Sequence, residues 1–426
     1  MSAAAAPPSL SRHGDFLRLW FGQTVSQVGT QVSLIAIPLT AVVALGATPF
    51  QAGLLGTFEY LPFILVGLPA GVWVDRMARR RILIASDVGR TLALLSIPLA
   101  SWSGHLVMAQ LYAVGFVVGV LTVFFDVAYQ SYLPSLVARE QLVEGNSRLE
   151  LTRASAEIAG PGIGGALVSA VTAPIAVLAD AVSYIASVAS LLLIRGRETI
   201  ESQTRRSSGM RRELVEGLRY VLGNRLLRSI AACTALINLF GHAAIAVTIL
   251  YAVRELGLSP AQIGLWFSLG SIGGPLGALL ASRVGRRLGT GPTIVLTAWA
   301  TVPAWFLVPL APRSFPLPLL ITSGIIGSIT GVMYNITQVS LRQAITPQRI
   351  QGRMNATMRF LVWGTIPIGS FIGGVLGSVI GLRNTLWVTA VAMTFAALPV
   401  TLSPVRRLRS VEDAMPPGAL SATWSA

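Results

Sequence analysis

The chain of 426 residues has no lysine, one cysteine, three histidines and only 17 acidic residues. Each scarcity removes a class of explanation. The single thiol, Cys233, cannot close an internal disulfide, and its place in an apolar stretch fits a buried structural thiol. His13, His105 and His242 are scattered, so with one cysteine they leave no His/Cys metal cluster. Neither a Walker loop nor a G-x-S-x-G elbow occurs, so nucleotide hydrolysis and familiar hydrolase chemistry lack their parts. The sequence therefore predicts no enzyme, no metal and no cofactor. Charge is scarce too, at 12% of residues, while 53% are hydrophobic, far from the roughly one quarter and one half usual in soluble domains. Water is not the main solvent of such a chain. The net charge of +15 is carried by arginines that sit between apolar runs, a pattern of membrane topology and not of nucleic-acid binding.

Apolar stretches near residues 16–44, 50–74, 81–101, 107–131, 150–172 and 175–194 predict six membrane-spanning helices. A second six are predicted near 228–251, 261–281, 290–310, 316–340, 355–380 and 384–403. The first span is too long and polar for a cleaved secretory signal, and it is expected to stay attached. Arginine position gives the orientation, because positive charge near helix ends is retained on the cytoplasmic side. With both termini inside, 28 arginines fall in cytoplasmic segments, Arg254, Arg313 and Arg383 face outward, and Arg90 is left within the third span. An even number of crossings satisfies that distribution and an odd number does not.

The expected organisation is an N-terminal bundle of six helices over residues 1–194, a cytoplasmic linker over 195–227, a C-terminal bundle over 228–403 and a cytoplasmic tail over 404–426. The linker holds an arginine-rich amphipathic segment after Gly209, read as a surface helix against anionic headgroups. A weak internal repeat relates the halves: Asn146 precedes Gly164-Gly165 by the same interval as Asn355 precedes Gly373-Gly374. Duplicated bundles are the usual construction of a secondary transporter. The predicted fold class is thus all-α integral membrane, with 12 transmembrane helices in two pseudo-symmetric six-helix bundles.

Between the second and third spans, Gly71-x-x-x-Asp75-Arg76-x-x-Arg79-Arg80-x-x-Leu83 resembles the signature of the major facilitator superfamily, with Ala78 where that family usually has Gly. The resemblance implies a cytoplasmic gate in which Asp75 meets the positive N-terminus of a neighbouring helix, Arg79 pairs with Asp126, and Arg359 lies nearby. Charges that merely enforce topology would look the same. In the fifth span, Gly160-Pro161-Gly162-Ile163-Gly164-Gly165 resembles the end of the antiporter motif of drug/proton exchangers, although Ser147 and Ala156 replace its earlier glycines. Small residues there permit close helix approach and Pro161 a bend, which ordinary tight packing would also use.

Carboxylates within spans are costly in lipid and are functional candidates by default. Glu59 in the second span and Asp180 in the sixth are the candidates for proton coupling, with a buried structural acid as the alternative for each. Asp87, Glu150 and Glu157 stand nearer helix ends, where Arg90, Arg148 or Arg153 can neutralise them. Gln23, Gln27 and Gln31 recur at four-residue steps and place three amides on one helix face. Asn238 and His242 repeat that spacing in the seventh span, and Tyr334 and Asn335 add polarity in the tenth. These seven are the candidate substrate pathway, against the alternative of interhelical hydrogen bonding without cargo.

Across most of the chain, runs such as FFDVAYQSYLP and LVEGNSRLELTRASAEIAGPGIGG are similar to the major facilitator subgroup of macrolide efflux proteins and enterobactin exporters. That resemblance implies a secondary active exporter of a drug, macrolide or siderophore-like molecule, a multidrug-resistance type of activity. It also implies energy from proton antiport and not from a cofactor. The expected partners are a small-molecule substrate, protons and membrane lipid, without nucleic acid, and the expected unit is a monomer in the cytoplasmic membrane. A metabolite importer on the same scaffold stays open, as does a multi-span protein that does not transport.

Overall fold

The computed structural model describes residues 10–74, 77–196, 210–410 and 413. Asp75 and Arg76 of the expected gate lie outside the described residues, as do parts of the linker and tail. The described residues form helices and connecting turns, with no β-strand among them. In chain order the helices are α1 (Gly14–Leu39), α2 (Pro49–Leu65), α3 (Gly67–Val74), α4 (Arg79–Trp102), α5 (Met108–Leu136), α6 (Leu142–Ala170), α7 (Ala173–Leu193), α8 (Met210–Gly223) and α9 (Arg225–Arg254). They continue as α10 (Pro260–Ser271), α11 (Gly273–Leu288), α12 (Thr290–Ala300), α13 (Val302–Leu310), α14 (Leu317–Ala344), α15 (Gln348–Trp363), α16 (Thr365–Ile380), α17 (Leu382–Ala396) and α18 (Leu398–Thr401).

Ten helical stretches among the described residues are long and apolar enough to cross a bilayer. The other two expected spans are helical as well. Residues 50–74 are divided at Val66 into α2 and α3, and α6 carries Glu144, Arg148, Glu150, Arg153 and Glu157. Local sequence sets several ends. His13 Nδ1 accepts the backbone N–H of Phe16 at the start of α1, and Thr48 with Gln51 forms a reciprocal capping box on α2, with Pro49 in its first turn. Pro38, which cannot donate a backbone hydrogen bond, sits just before α1 loosens into a π-helical turn at Thr40–Ala44. Gly289 has φ +92° and its backbone faces that of Arg409, so a side chain there meets both a strained conformation and an occupied space.

The described residues divide into two compact units. One contains residues up to 196 together with 252–268; the other contains 210–251 and residues from 269 onward. In the first, α1 packs on α6 and α7, α4 on α5 and α7, and α2 on α5. Phe16, Leu83, Phe125, Tyr132, Leu191 and Ile194 fill its interior near one end. In the second, α14 packs against α11, α12 and α13, while Ile230, Cys233, Ile294, Leu341 and Val400 form a buried cluster. Large side chains such as Leu92, Leu192 and Val379 point outward, 60–76% exposed, as expected of helices whose solvent is hydrocarbon.

The linker contributes a helix to the second unit. The amphipathic helix α8 docks part of its apolar side on protein, with Val221 buried beside Leu227, Met354 and Met358, while Val215 and Leu222 are 47% and 43% exposed. Glu216 pairs with Arg353 at 2.6 Å, and Tyr220 donates to the Ile345 carbonyl at 3.2 Å. The helix is therefore a docked part of the second unit, on α15. Periodicity reveals an apolar face but not which surface covers it.

Candidate functional site

The buried charges of the first unit meet between α4, α5 and α7. Asp87 and Arg90, three residues apart on α4, form an ion pair that is almost wholly buried. The Arg90 guanidinium lies over the rings of Phe125 at 4.3 Å and Tyr184 at 4.2 Å, and Nη1 donates to Tyr184 Oη at 3.4 Å. Tyr184 Oη in turn shares a 3.0 Å hydrogen bond with Thr30 on α1. Asp180, one turn before Tyr184 on α7, accepts from Ser183 Oγ at 3.2 Å and is 2% exposed. It lies within electrostatic range of Arg90, as does Asp126 on α5. A lone arginine at this depth would be prohibitive; two aromatic faces and neighbouring carboxylates account for it. Arg90, left unassigned by the topology pattern, is thus the hub of the cluster.

Glu59 belongs to a different helix pair. Its side chain lies along α5, where a Cβ added to Gly115 would stand 3.0 Å from Glu59 Cγ and one added to Gly119 would stand 2.6 Å from its carbonyl oxygen. No hydrogen bond or ion pair among the described residues holds its carboxyl. The two candidate acids therefore occupy separate settings: Asp180 inside a network, Glu59 without fixed partners.

The three amides of α1 diverge. Gln23 and Gln27 line a cavity of about 150 Å³ together with Tyr129 of α5 and Asn146, Leu149, Glu150, Thr152 and Arg153 of α6. Gln31 instead packs against Gly160, where a Cβ would run into its side chain. Gly164 continues that contact, its side-chain position 3.1 Å from Val32 Cα. The opposite face of the Gly-Pro run meets residues 260–268: Gly162 N–H donates to Ser268 Oγ at 2.7 Å, and the side-chain position at Gly264 falls against the Pro161 carbonyl. Gly165 closes on Pro260 and Gly264. The run thus has two packing faces, each needing residues without bulk.

In the second unit, Asn238 donates to the Val362 carbonyl at 3.0 Å and Tyr334 shares a 2.8 Å hydrogen bond with Thr234. Asn335 accepts from Gln338 at 3.0 Å, while His242 is half-buried one turn beyond Asn238. Of the gate residues, Gly71 lies in α3 with open space at its side-chain position, and Arg79 opens α4. Arg359 stacks over Trp363 of its own helix at 4.7 Å. Arg80 has a role that its motif did not announce: it donates to the carbonyls of Leu191 and Leu192 at 2.8 and 2.9 Å, satisfying the open end of α7. Arg254 and Arg383, two of the three arginines expected outside, likewise cap carbonyls, Arg254 at Ala47 and Arg383 at Pro309 and Ala311. No group of three or more metal-binding side chains occurs among the described residues.

Apolar helices long enough to cross a bilayer, with polar and charged side chains turned inward, define a multi-pass membrane protein. Its family follows from the sequence: the chain belongs to the transmembrane secretion effectors, whose family model matches residues 4–422, within the major facilitator superfamily. It is similar to the multidrug efflux pump Tap of Mycobacterium tuberculosis, at 28% identity over 93% of this chain and 95% of that one. It is also similar to the enterobactin exporter EntS of Salmonella choleraesuis, at 24% identity over 94% and 95%. In fold it resembles a bacterial homologue of the iron transporter ferroportin in an inward-facing state, with TM-score 0.73 at 17% identity, covering 92% of this chain and 99% of that one. The nucleoside transporter NupG matches with TM-score 0.71 at 13% identity over 91% and 98%.

Proposed function

We propose that this protein exports a small molecule, drug-like or siderophore-like, across the cytoplasmic membrane by alternating access coupled to proton antiport. The observation that carries the export direction is similarity along nearly the whole chain to relatives named for efflux, the multidrug pump Tap and the exporter EntS. Twelve crossings in two six-helix bundles, with both termini cytoplasmic, fit the arginine distribution, and a monomer is the working unit. Surrounding lipid is the solvent of its outer faces.

Glu59 and Asp180 are the proposed coupling acids, because a carboxyl withdrawn from water must be neutral or paired and so exchanges its proton when the site opens. Gln23, Gln27, Gln31, Asn238, His242, Tyr334 and Asn335 are the proposed polar lining of the pathway. Gly71, Asp75, Arg76, Arg79, Arg80, Asp126 and Arg359 are the proposed cytoplasmic gate. Gly160, Pro161, Gly164 and Gly165 are proposed to seal the fifth span against leak.

Inside-out vesicles energised by a pH gradient test the reading with a panel of macrolides, other lipophilic drugs and a catecholate siderophore. Accumulation of at least one compound that collapses with the gradient is expected, and Glu59→Gln is expected to abolish it. Uptake only in whole cells, in the inward direction, would replace export by import; unchanged accumulation with Glu59→Gln would remove that residue from coupling.

A further inference from the structure

We infer that the cavity between α1, α5 and α6 recognises an uncharged, polyhydroxylated ring on the cargo. The inference rests on the export reading and gives it a chemical class. On the proposed topology the cavity lies toward the cytoplasmic ends of these helices, where an exporter collects its load. Gln23 is 4% exposed, lines the cavity, and has an amide nitrogen with no hydrogen-bond partner among the described residues. A buried donor of that kind is unfavourable until something arrives to accept from it. Gln27, one turn further along α1, and Asn146 on α6 also line the space, and no hydrogen bond among the described residues engages either amide.

Each amide offers a donor and an acceptor side by side, the pattern that adjacent hydroxyls complement because each hydroxyl both gives and accepts. Thr152 adds a further donor: its Oγ1 accepts from Trp20 Nε1 at 2.8 Å, leaving its own proton to give. Tyr129 supplies an apolar ring, fixed by stacking on Phe125 with centroids 6.0 Å apart. Amides and an aromatic ring lining one space match a ring with hydroxyls at its rim and C–H bonds on its faces. A volume of about 150 Å³ is on the scale of one such ring.

The charged side chains of the lining, Glu150 and Arg153, are paired with each other. Arg153 bonds both carboxylate oxygens of Glu150, at 2.6 and 3.1 Å, and also engages Glu157. With side chains 48% and 64% exposed, Arg153 and Glu150 form a solvated pair that offers an ion no buried counter-charge. The amides are what remains to be satisfied.

The probes are methylumbelliferyl glucoside, its uncharged aglycone methylumbelliferone, and the anionic methylumbelliferyl glucuronide, with the full chain in lipid nanodiscs and affinity read by calorimetry. The wild type should bind the glucoside about tenfold or more tighter than the aglycone, with the glucuronide no better than the aglycone. Gln23→Leu and Asn146→Leu should each erase most of that preference, read as the ratio of glucoside to aglycone affinity. Size-exclusion profiles and melting temperatures confirm that the variants are folded. Equal wild-type affinity for glucoside and aglycone, binding of neither, tighter binding of the glucuronide, or a preference that survives both substitutions overturns the inference. Gradient-driven drug accumulation by the wild type is read separately: its presence alongside a failed glucoside preference sinks the pocket alone, whereas its absence sinks the export reading.

Discussion

The two units solve the problem of polarity in a membrane differently. The fully buried charged side chains among the described residues, Asp87, Arg90 and Asp180, all lie in the first; the buried polar side chains of the second are neutral, mostly threonines and serines with Gln338. The sequence has the same asymmetry, since no Asp or Glu occurs between Glu255 and Glu412. A hydroxyl is satisfied by a carbonyl on its own helix, as Thr297 is by that of Thr293 and Thr337 by that of Met333. A carboxylate needs a cation or a proton. The proposed proton coupling accordingly rests on carboxylates of the first unit, and the second offers neutral polar side chains.

The largest effect expected from this contrast comes from breaking the buried pair. Arg90→Leu strands Asp87 and should cost about 3–5 kcal/mol, read as a fall in melting temperature in nanodiscs. The joint replacement Arg90→Leu with Asp87→Asn should recover much of that loss; a double variant as unstable as the single would show that the pair's worth is in packing. An intermediate effect follows from close approach. Gly165→Val in the first unit and Gly369→Val in the second, whose side-chain positions fall on the backbone of Pro260 and Leu239, should each cost about 1–3 kcal/mol on the same measurement. Equal tolerance of valine at both would contradict the packing described. The smallest effect concerns the docked helix α8: Glu216→Gln removes a pair whose side chains are 30% and 43% exposed, and should cost less than about 1 kcal/mol, diminishing further in high salt.

Much of this was legible in the sequence where the signal is local. Ten of the expected spans reappear as long apolar helices because lipid demands about twenty apolar residues in a row, and that is visible in one dimension. The Asp87–Arg90 pair sits at helical spacing, so a partner for Arg90 was readable as well. What the sequence withheld is contact across long separations. That Arg80 caps α7, 111 and 112 residues away, leaves no trace in periodicity, and neither does the nearness of Asp180 to that pair. The stripe of Gln23, Gln27 and Gln31 shows the same limit: four-residue spacing put the three on one face, yet neighbouring helices give the first two a cavity and the third a glycine contact. The apolar face of α8 was evident, but not that Val221 would be buried beside Met354 and Met358.

The most direct test of the account is proton release from purified protein in weakly buffered detergent when a transported drug is added. The account predicts release by the wild type, its loss when Glu59→Gln and Asp180→Asn are combined in the first unit, and its persistence with His242→Gln in the second. Release that survives the double substitution, or that disappears with His242→Gln alone, would place the coupling chemistry in the wrong unit and contradict the account.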